Sequence, residues 1–114
     1  VSLELPISIS KRKSIPGMQY KIVYADLKTP SLIMPKLTKN CILVTVNKSH
    51  LFYKRFLSKF ENDGLEKTNT FKNILEIFFF ALARTELSLV TKSNNQFLDQ
   101  IRKVWSINLN NFLQ

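Results

Sequence analysis

The hydrophobic period of this chain changes immediately after Val46. Before that residue, apolar side chains alternate with polar ones or run continuously, as in "YKIVY" (20–24) and "CILVTV" (41–46). Beyond it they recur at spacings of three and four. Because a strand turns every second residue to one face and a helix every third or fourth, the sequence predicts a sheet in the first half and helices in the second.

Three strands are predicted in the domain itself. "MQYKIVYADL" (18–27) alternates as a half-buried strand, Leu32–Met34 forms a short strand between two prolines, and "CILVTV" is an interior strand. Short connections between them favour an antiparallel sheet. Residues 1–17 are assigned as an N-terminal arm or edge strand plus linker, because "LELPISIS" alternates around Pro6 and "KRKSIPG" breaks the pattern. Residues 18–114 form the predicted domain.

Three helices follow, and each is recognised by one apolar stripe. The first carries Tyr53, Phe56, Leu57 and Phe60, with Asn47 or Ser49 as its cap and a stop at "NDG" (62–64). The second begins at Thr68 or Thr70 with the stripe Phe71, Ile74, Leu75, Phe78 and Leu82. The third carries Leu98, Ile101, Trp105, Leu109 and Phe112, with Asp99, Arg102, Lys103 and Asn110 facing away. The predicted fold class is α+β, with three helices packed on one face of a small antiparallel sheet.

Composition limits the kind of protein this can be. A chain of 114 residues with 45% hydrophobic residues is sized for one folded domain. One cysteine and one histidine exclude an internal disulfide and the usual zinc site. No apolar run is long enough to cross a bilayer and no signal pattern precedes the domain, so no membrane partner and a cytoplasmic location are predicted. The start at Val1 fits a processed protein or a piece of a longer chain.

Catalysis is not predicted. His50 is the one candidate acid–base residue, but it lacks a nearby orienting carboxylate and is interpreted as packing or bonding locally. The carboxylates are scattered over different elements. Two glycines cannot build a phosphate-binding loop. We therefore expect no catalytic, cofactor-binding or metal-binding residue in this chain.

Two hypotheses about interaction remain open. The second helix is apolar on most sides, so Ile77, Phe79 and Phe80, with Trp105 from the third helix, are candidate contacts of a homo-oligomer or of other domains. The packing of a monomer would also bury these four side chains. The formal charge of +9 suggests nucleic acid as an alternative, through Lys48, Lys54, Arg55 and Lys59 with Tyr53 or Phe52 stacking on bases. The same residues also fit a solvated basic face and core aromatics.

Three stretches together resemble the C-terminal region of certain bacterial ATPases of the gyrase, heat-shock-90, histidine-kinase and MutL (GHKL) superfamily. The first, "ILVTVNKSHLFYKRF" (42–56), is similar to a strand followed by an Asn-x-x-His corner. The second, "ILEIFFFALARTEL" (74–87), is similar to an apolar helix that ends in Ala-Arg-x-Glu. The third, "IRKVWSINLNNFL" (101–113), is similar to a closing Trp-Ser-x-x-Leu helix. This chain departs from the pattern at two places. Leu51 occupies the position where the pattern has proline, and Lys48-Ser49 occupy positions where the corner usually has acidic or small residues.

The resemblance implies that ATP binding and partner binding belong to different domains of a longer chain. ATP and magnesium would bind in a preceding domain, whose nucleotide-site motifs do not occur here. This chain would then be a non-catalytic C-terminal interaction or dimerisation module that couples the ATPase to a partner. The resemblance transfers no functional residue, and Asn47, His50 and Tyr53 of the corner are expected to be structural.

Overall fold

The computed structural model describes residues 18–61 and 66–114, with side chains for 18–60 and 70–114. The predicted arm at 1–17 and the predicted helix stop at 62–64 lie outside these residues. Three strands come first: β1 (Gln19–Ala25), β2 (Ile33–Thr38) and β3 (Cys41–Asn47). Helix α1 comprises a π-helical part, Tyr53–Leu57, and an α-helical part, Ser58–Glu61. The long helices are α2 (Glu66–Leu89) and α3 (Asn95–Phe112). The α+β class is confirmed.

The sheet is mixed, with the strand order β1-β3-β2. β2 and β3 form the expected antiparallel hairpin, joined by the turn at 39–40. β1 pairs parallel to β3, with Gln19 opposite Cys41 and Ala25 opposite Asn47. The prediction of an antiparallel sheet is therefore wrong for this pair, because the chain crosses over β3 between β1 and β2. Pro35 lies inside β2, where an edge strand tolerates its missing amide hydrogen.

One face of the sheet carries the core. Strand register places Tyr20, Ile42 and Leu37 in one row, and Tyr24, Val46 and Ile33 in another, all on this face. The buried apolar core consists of Leu32, Ile33, Ile42, Val44, Val46, Tyr53, Leu57, Phe79 and Ala83. Helices α1 and α2 supply the last four. Trp105 and Leu109 of α3 pack against the same cluster, so all three helices contribute to this side.

Aromatic and polar contacts fix α2 over β1. The rings of Tyr20 and Phe80 meet edge to face, with centroids 5.3 Å apart. The Tyr24 hydroxyl donates to Glu76 Oε2 at 2.9 Å. These two contacts are four residues apart on each element, so they fix both the position and the rotation of α2 on the sheet. The rotation decides which side of α2 remains exposed.

Candidate interaction surface

The exposed side of α2 carries no charged residue over the part whose side chains are described. The exposed residues of 70–89 are Thr70, Phe71, Asn73, Ile74, Ile77, Phe78, Leu82, Thr85, Ser88 and Leu89. Six of these are apolar and the others are neutral. Phe71 and Phe78 are 63% and 62% exposed. A solvated helix face normally mixes charged residues of both signs, so this face differs from an ordinary protein surface.

The exposed side of α3 is uncharged in the same way. Its exposed residues are Asn95, Gln96, Phe97, Gln100, Ile101, Val104, Ile107, Asn108, Asn111 and Phe112. Phe97, Ile101 and Val104 recur at helical spacing and share one side of the helix. Phe97 is 65% exposed. The two longest helices of the domain thus both present apolar and neutral side chains to solvent.

A groove of ≈ 290 Å³ joins the two helices. Phe78, Leu82 and Leu89 line it from α2, and Leu98, Ile101 and Trp105 line it from α3. Phe71 and Ile74 extend the α2 side by two turns, and Phe97 and Val104 flank Ile101 on α3. We call the exposed apolar residues of this surface the α2/α3 face: Phe71, Ile74, Phe78, Leu82, Leu89, Phe97, Ile101 and Val104.

The charged pair that lines the groove, Glu86 and Arg102, is largely buried. Arg102 is only 5% exposed, and its guanidinium bonds to Glu86 Oε1 of α2 at 2.5 Å and to Asp99 one turn earlier. Lys103 Nζ lies 2.9 Å from Asp99 Oδ2. The prediction that Arg102 faces away from the core is wrong, because its partner Glu86 belongs to a different helix and only the fold brings them together. This network connects α2 to α3 beside the groove.

The two carboxylates of the network respond differently to their surroundings. Burial raises the pKa of Glu86 above its ordinary value of 4.5, and the attraction of Arg102 only partly opposes that effect. Hydrogen bonding from Lys103, with further help from Arg102, lowers the pKa of Asp99 below its ordinary 3.8. The ionised form of Glu86 is therefore disfavoured by its surroundings, whereas that of Asp99 is stabilised.

Exposed charge is concentrated away from the α2/α3 face and is almost entirely positive. Among the described residues, the exposed charged side chains are Lys21, Lys28, Lys36, Lys39, Lys54, Arg55, Lys59 and Lys92, with Asp26 as the single carboxylate. They lie on the strands, the loops and α1. Apart from Lys92, in the loop between α2 and α3, these charges lie on elements that do not contribute to the α2/α3 face.

The four predicted interface residues are divided between core and surface. Ile77 is exposed on α2. Phe79 is 5% exposed and belongs to the core, so it cannot form a surface contact. Phe80 packs on Tyr20, and Trp105 is half-buried at the groove. Helix α2 is rotated so that Phe79 and Ala83 face the sheet.

The apolar stripe expected to form the core of α2 is largely its exposed side. Phe71, Ile74, Phe78 and Leu82 are all exposed, and of the predicted stripe only Leu75 packs against the core cluster. Apolar residues surround this helix, so periodicity alone cannot choose which side meets the sheet. The absence of charged residues at 73, 77, 81 and 85 is the sequence signal for an uncharged surface.

The basic candidates lie on or beside α1. Lys54, Arg55 and Lys59 are exposed, and Lys48 is half-buried with its Nζ 5.9 Å from the centre of the Tyr53 ring. Tyr53 is buried in the core. Phe52 packs against Phe56, with ring centroids 5.3 Å apart. Tyr53 is therefore not available to stack on a base, and Phe52 is partly covered by the core and by Phe56.

The Asn-x-x-His corner is a buried hydrogen-bonded node. Asn47 Oδ1 accepts from the amides of Leu27 and Ser49, and Asn47 Nδ2 donates to the carbonyls of Thr29 and Ser31. His50 Nδ1 accepts from the Phe52 amide at 3.0 Å, and Nε2 lies 2.7 Å from the Ser106 carbonyl oxygen. Both ring nitrogens are thus occupied by backbone groups. Ser49 bonds to Asp26 instead of to His50, so no Ser-His-Asp relay forms.

The three stretches that carry the GHKL resemblance meet in space. His50 of the first contacts Ser106 of the third, and Glu86 of the second contacts Arg102 of the third. Within the described residues, no group of three or more His, Cys, Asp or Glu side chains could hold a metal ion. No helix of the described part is long and apolar enough to span a bilayer. Searches of protein-family models, curated proteins and solved structures find no match to this chain.

Proposed function

We propose that this domain is a non-catalytic protein-interaction module, and that the α2/α3 face is its binding surface. The observation that supports this most directly is that the exposed residues of α2 from 70 to 89 and of α3 from 95 to 112 are apolar or neutral, while the partly exposed Asp99 and Lys103 are paired with each other. Soluble monomers rarely leave an apolar patch of this extent uncovered. The groove supports a protein partner, since its ≈ 290 Å³ is at the lower limit for a small-molecule pocket.

The GHKL resemblance supports a specific setting for this module, namely the C-terminal part of a longer ATP-binding protein. In that setting it follows an ATP-binding domain on a longer chain and couples the ATPase to a partner, while ATP and magnesium bind only to the preceding domain. The buried corner of Asn47 and His50 holds the strand-to-helix junction in place and takes no part in catalysis. This setting predicts that the isolated domain binds no fluorescent ATP analogue, whereas the parent polypeptide does.

An apolar dye such as bis-ANS tests whether the face is accessible. A protein whose α2/α3 face is free should bind the dye in its native state, and Phe78→Glu should reduce binding several-fold. Leu37→Glu is the matched control, because Leu37 is an exposed apolar residue on β2 that lies beside Arg84 and Leu87, on another side of α2 from the groove. Far-UV circular dichroism would verify that both variants fold. Equal dye binding by all three proteins, measured at a concentration where each is a monomer, would contradict the proposed surface.

Nucleic-acid binding is the second candidate, supported by the eight exposed cations against the single carboxylate Asp26. Its contacts would be Lys54, Arg55 and Lys59 on α1, with Lys48 beside them. Such binding would weaken steeply with salt, because bound counterions are released from the nucleic acid. The triple charge reversal of Lys54, Arg55 and Lys59 should abolish retention on a DNA or RNA column at low salt. Unchanged retention would exclude this interface.

A further inference from the structure

We infer that the partner of the α2/α3 face is a second copy of this chain, and that two copies join through these faces as a symmetric dimer. The inference rests on the proposed function and specifies its partner. In a twofold dimer the same patch is used on both copies, so the surface must fit itself. The α2/α3 face has the elements for this: a groove between the helices and protruding phenylalanines beside it.

The apolar area is sufficient for a dimer. Phe71, Phe78 and Phe97 are each about two-thirds exposed. With the half-exposed aliphatic residues of the face, they present on the order of 600 Å² of apolar surface, from typical side-chain areas. A standard interface buries roughly 800 Å² per partner, of which about 65% is apolar in homodimers. That requirement is about 500 Å² of apolar surface, which this face meets.

The charge distribution favours a second copy over a partner of opposite charge. Two chains with a formal charge of +9 repel each other, and they can approach most closely where no exposed cation lies. The α2/α3 face is that place, because the exposed residues of α2 and α3 that the structure describes are apolar or neutral, and the partly exposed Asp99 and Lys103 form an ion pair with each other. An acidic partner would be attracted to α1 and the strands. The face itself offers no charge for such a partner to recognise.

The two charged side chains that line the groove can be buried in a dimer while they remain paired. Glu86 and Arg102, which line the groove, are already paired with each other. Burial against a second copy would therefore leave no new unpaired charge on these two side chains, a condition that buried interfaces require. Thr85, another polar side chain of the groove, donates its hydroxyl to the Ala81 carbonyl.

Sedimentation equilibrium of the 114-residue chain tests the inference. We expect a dimer whose dissociation constant does not rise between 0.1 and 0.5 M salt, since apolar contacts are not screened and salt weakens the repulsion between the two basic chains. Leu82→Glu and Phe78→Glu should each weaken the dimer at least tenfold, whereas Leu37→Glu should leave it unchanged. A monomer over the whole concentration range would overturn the inference, as would equal effects of Leu82→Glu and Leu37→Glu.

Crosslinking supplies a second measurement that does not depend on charged variants. In a Cys41→Ser background, Thr85→Cys on the groove should give a covalent dimer with a short thiol-reactive crosslinker, whereas Thr38→Cys on β2 should not. Crosslinking from Thr38→Cys alone would overturn the inference. A monomer that binds bis-ANS through this face would overturn the dimer while leaving the proposed function intact. A monomer without such binding would contradict both.

Discussion

His50 Nε2 lies 2.7 Å from the carbonyl oxygen of Ser106, and this contact joins the start of α1 to the middle of α3. Because the Phe52 amide can only donate, Nδ1 is the acceptor and the ring proton resides on Nε2. Ser106 completes the junction, since its hydroxyl accepts from the Leu32 amide at 2.9 Å and donates to the Arg102 carbonyl. One histidine and one serine thus connect strand, corner and closing helix.

Removing the imidazole should destabilise the domain. His50→Ala removes the side-chain hydrogen bond to the Ser106 carbonyl and leaves the Phe52 amide without its imidazole acceptor, at a cost of about 1–3 kcal/mol in the free energy of unfolding. His50→Gln, which can still donate toward Ser106, should recover part of this loss. Urea denaturation gives the measurement, and Ser49→Ala is the control because Ser49 is exposed. Equal stability of His50→Ala and Ser49→Ala would argue against a structural role for this ring.

The Asn47 side chain makes four hydrogen bonds to backbone groups and is only 1% exposed, so it should be still less replaceable. Asn47→Ala should lower the free energy of unfolding by about 3 kcal/mol or more, because several buried backbone groups lose their partner. Asn47→Asp keeps both acceptor bonds but turns a carboxylate oxygen toward the carbonyls of Thr29 and Ser31, so we expect a loss at least as large. Thermal unfolding of both variants tests this, and near wild-type stability of Asn47→Asp would contradict the assigned amide orientation.

Neighbouring phenylalanines on α2 should respond oppositely to truncation. Phe79→Ala removes a core ring and should cost about 3–5 kcal/mol. Phe78→Ala should change the stability of the monomer by less than about 1 kcal/mol, because its ring is mostly exposed. Denaturation in the Leu82→Glu background measures the monomer alone. Similar losses at the two positions would mean that α2 is rotated differently on the sheet.

The buried network between α2 and α3 should make stability depend on pH once its cation is removed. Arg102→Met leaves the partly buried Glu86 without its cation, which costs on the order of 2 kcal/mol at neutral pH, less than for a fully buried pair. Burial already raises the pKa of Glu86 in the folded state, and losing Arg102 raises it further. A folded-state pKa above the unfolded value means that protonation favours folding. The deficit should therefore shrink as pH falls from 7.5 toward 5 and grow again as pH rises.

Urea denaturation of Arg102→Met at these two pH values gives the measurement. The double variant Glu86→Gln/Arg102→Met is the control, because it removes the titrating group and should lose most of this pH dependence. Asp99 does not interfere in this window, since its lowered pKa places its titration below 3.8. The stability it contributes is lost only under more acidic conditions. An Arg102→Met deficit that is constant from pH 5 to 7.5 would contradict the assignment to Glu86.

Only part of the candidate surface can be predicted from the sequence. The uncharged stripe along each of α2 and α3 is a property of the sequence, because the spacing of the charged residues on each helix leaves it free of charge. Which side of α2 faces the core cannot be predicted in the same way, because Phe78 and Phe79 are adjacent and equally apolar. Contacts with the sheet, Tyr20 to Phe80 and Tyr24 to Glu76, determine which of them is buried.

The sequence by itself determined the order of strands and helices, since hydrophobic period is a local property that each segment carries alone. It also determined that β3 is the central strand and that three helices follow it. Only the tertiary structure decided the parallel pairing of β1 with β3, the burial of Arg102 and the roles of Asn47 and His50. Each of these depends on groups 16 to 56 residues apart in the chain. Such contacts depend on how the whole domain packs, and no local sequence pattern predicts them.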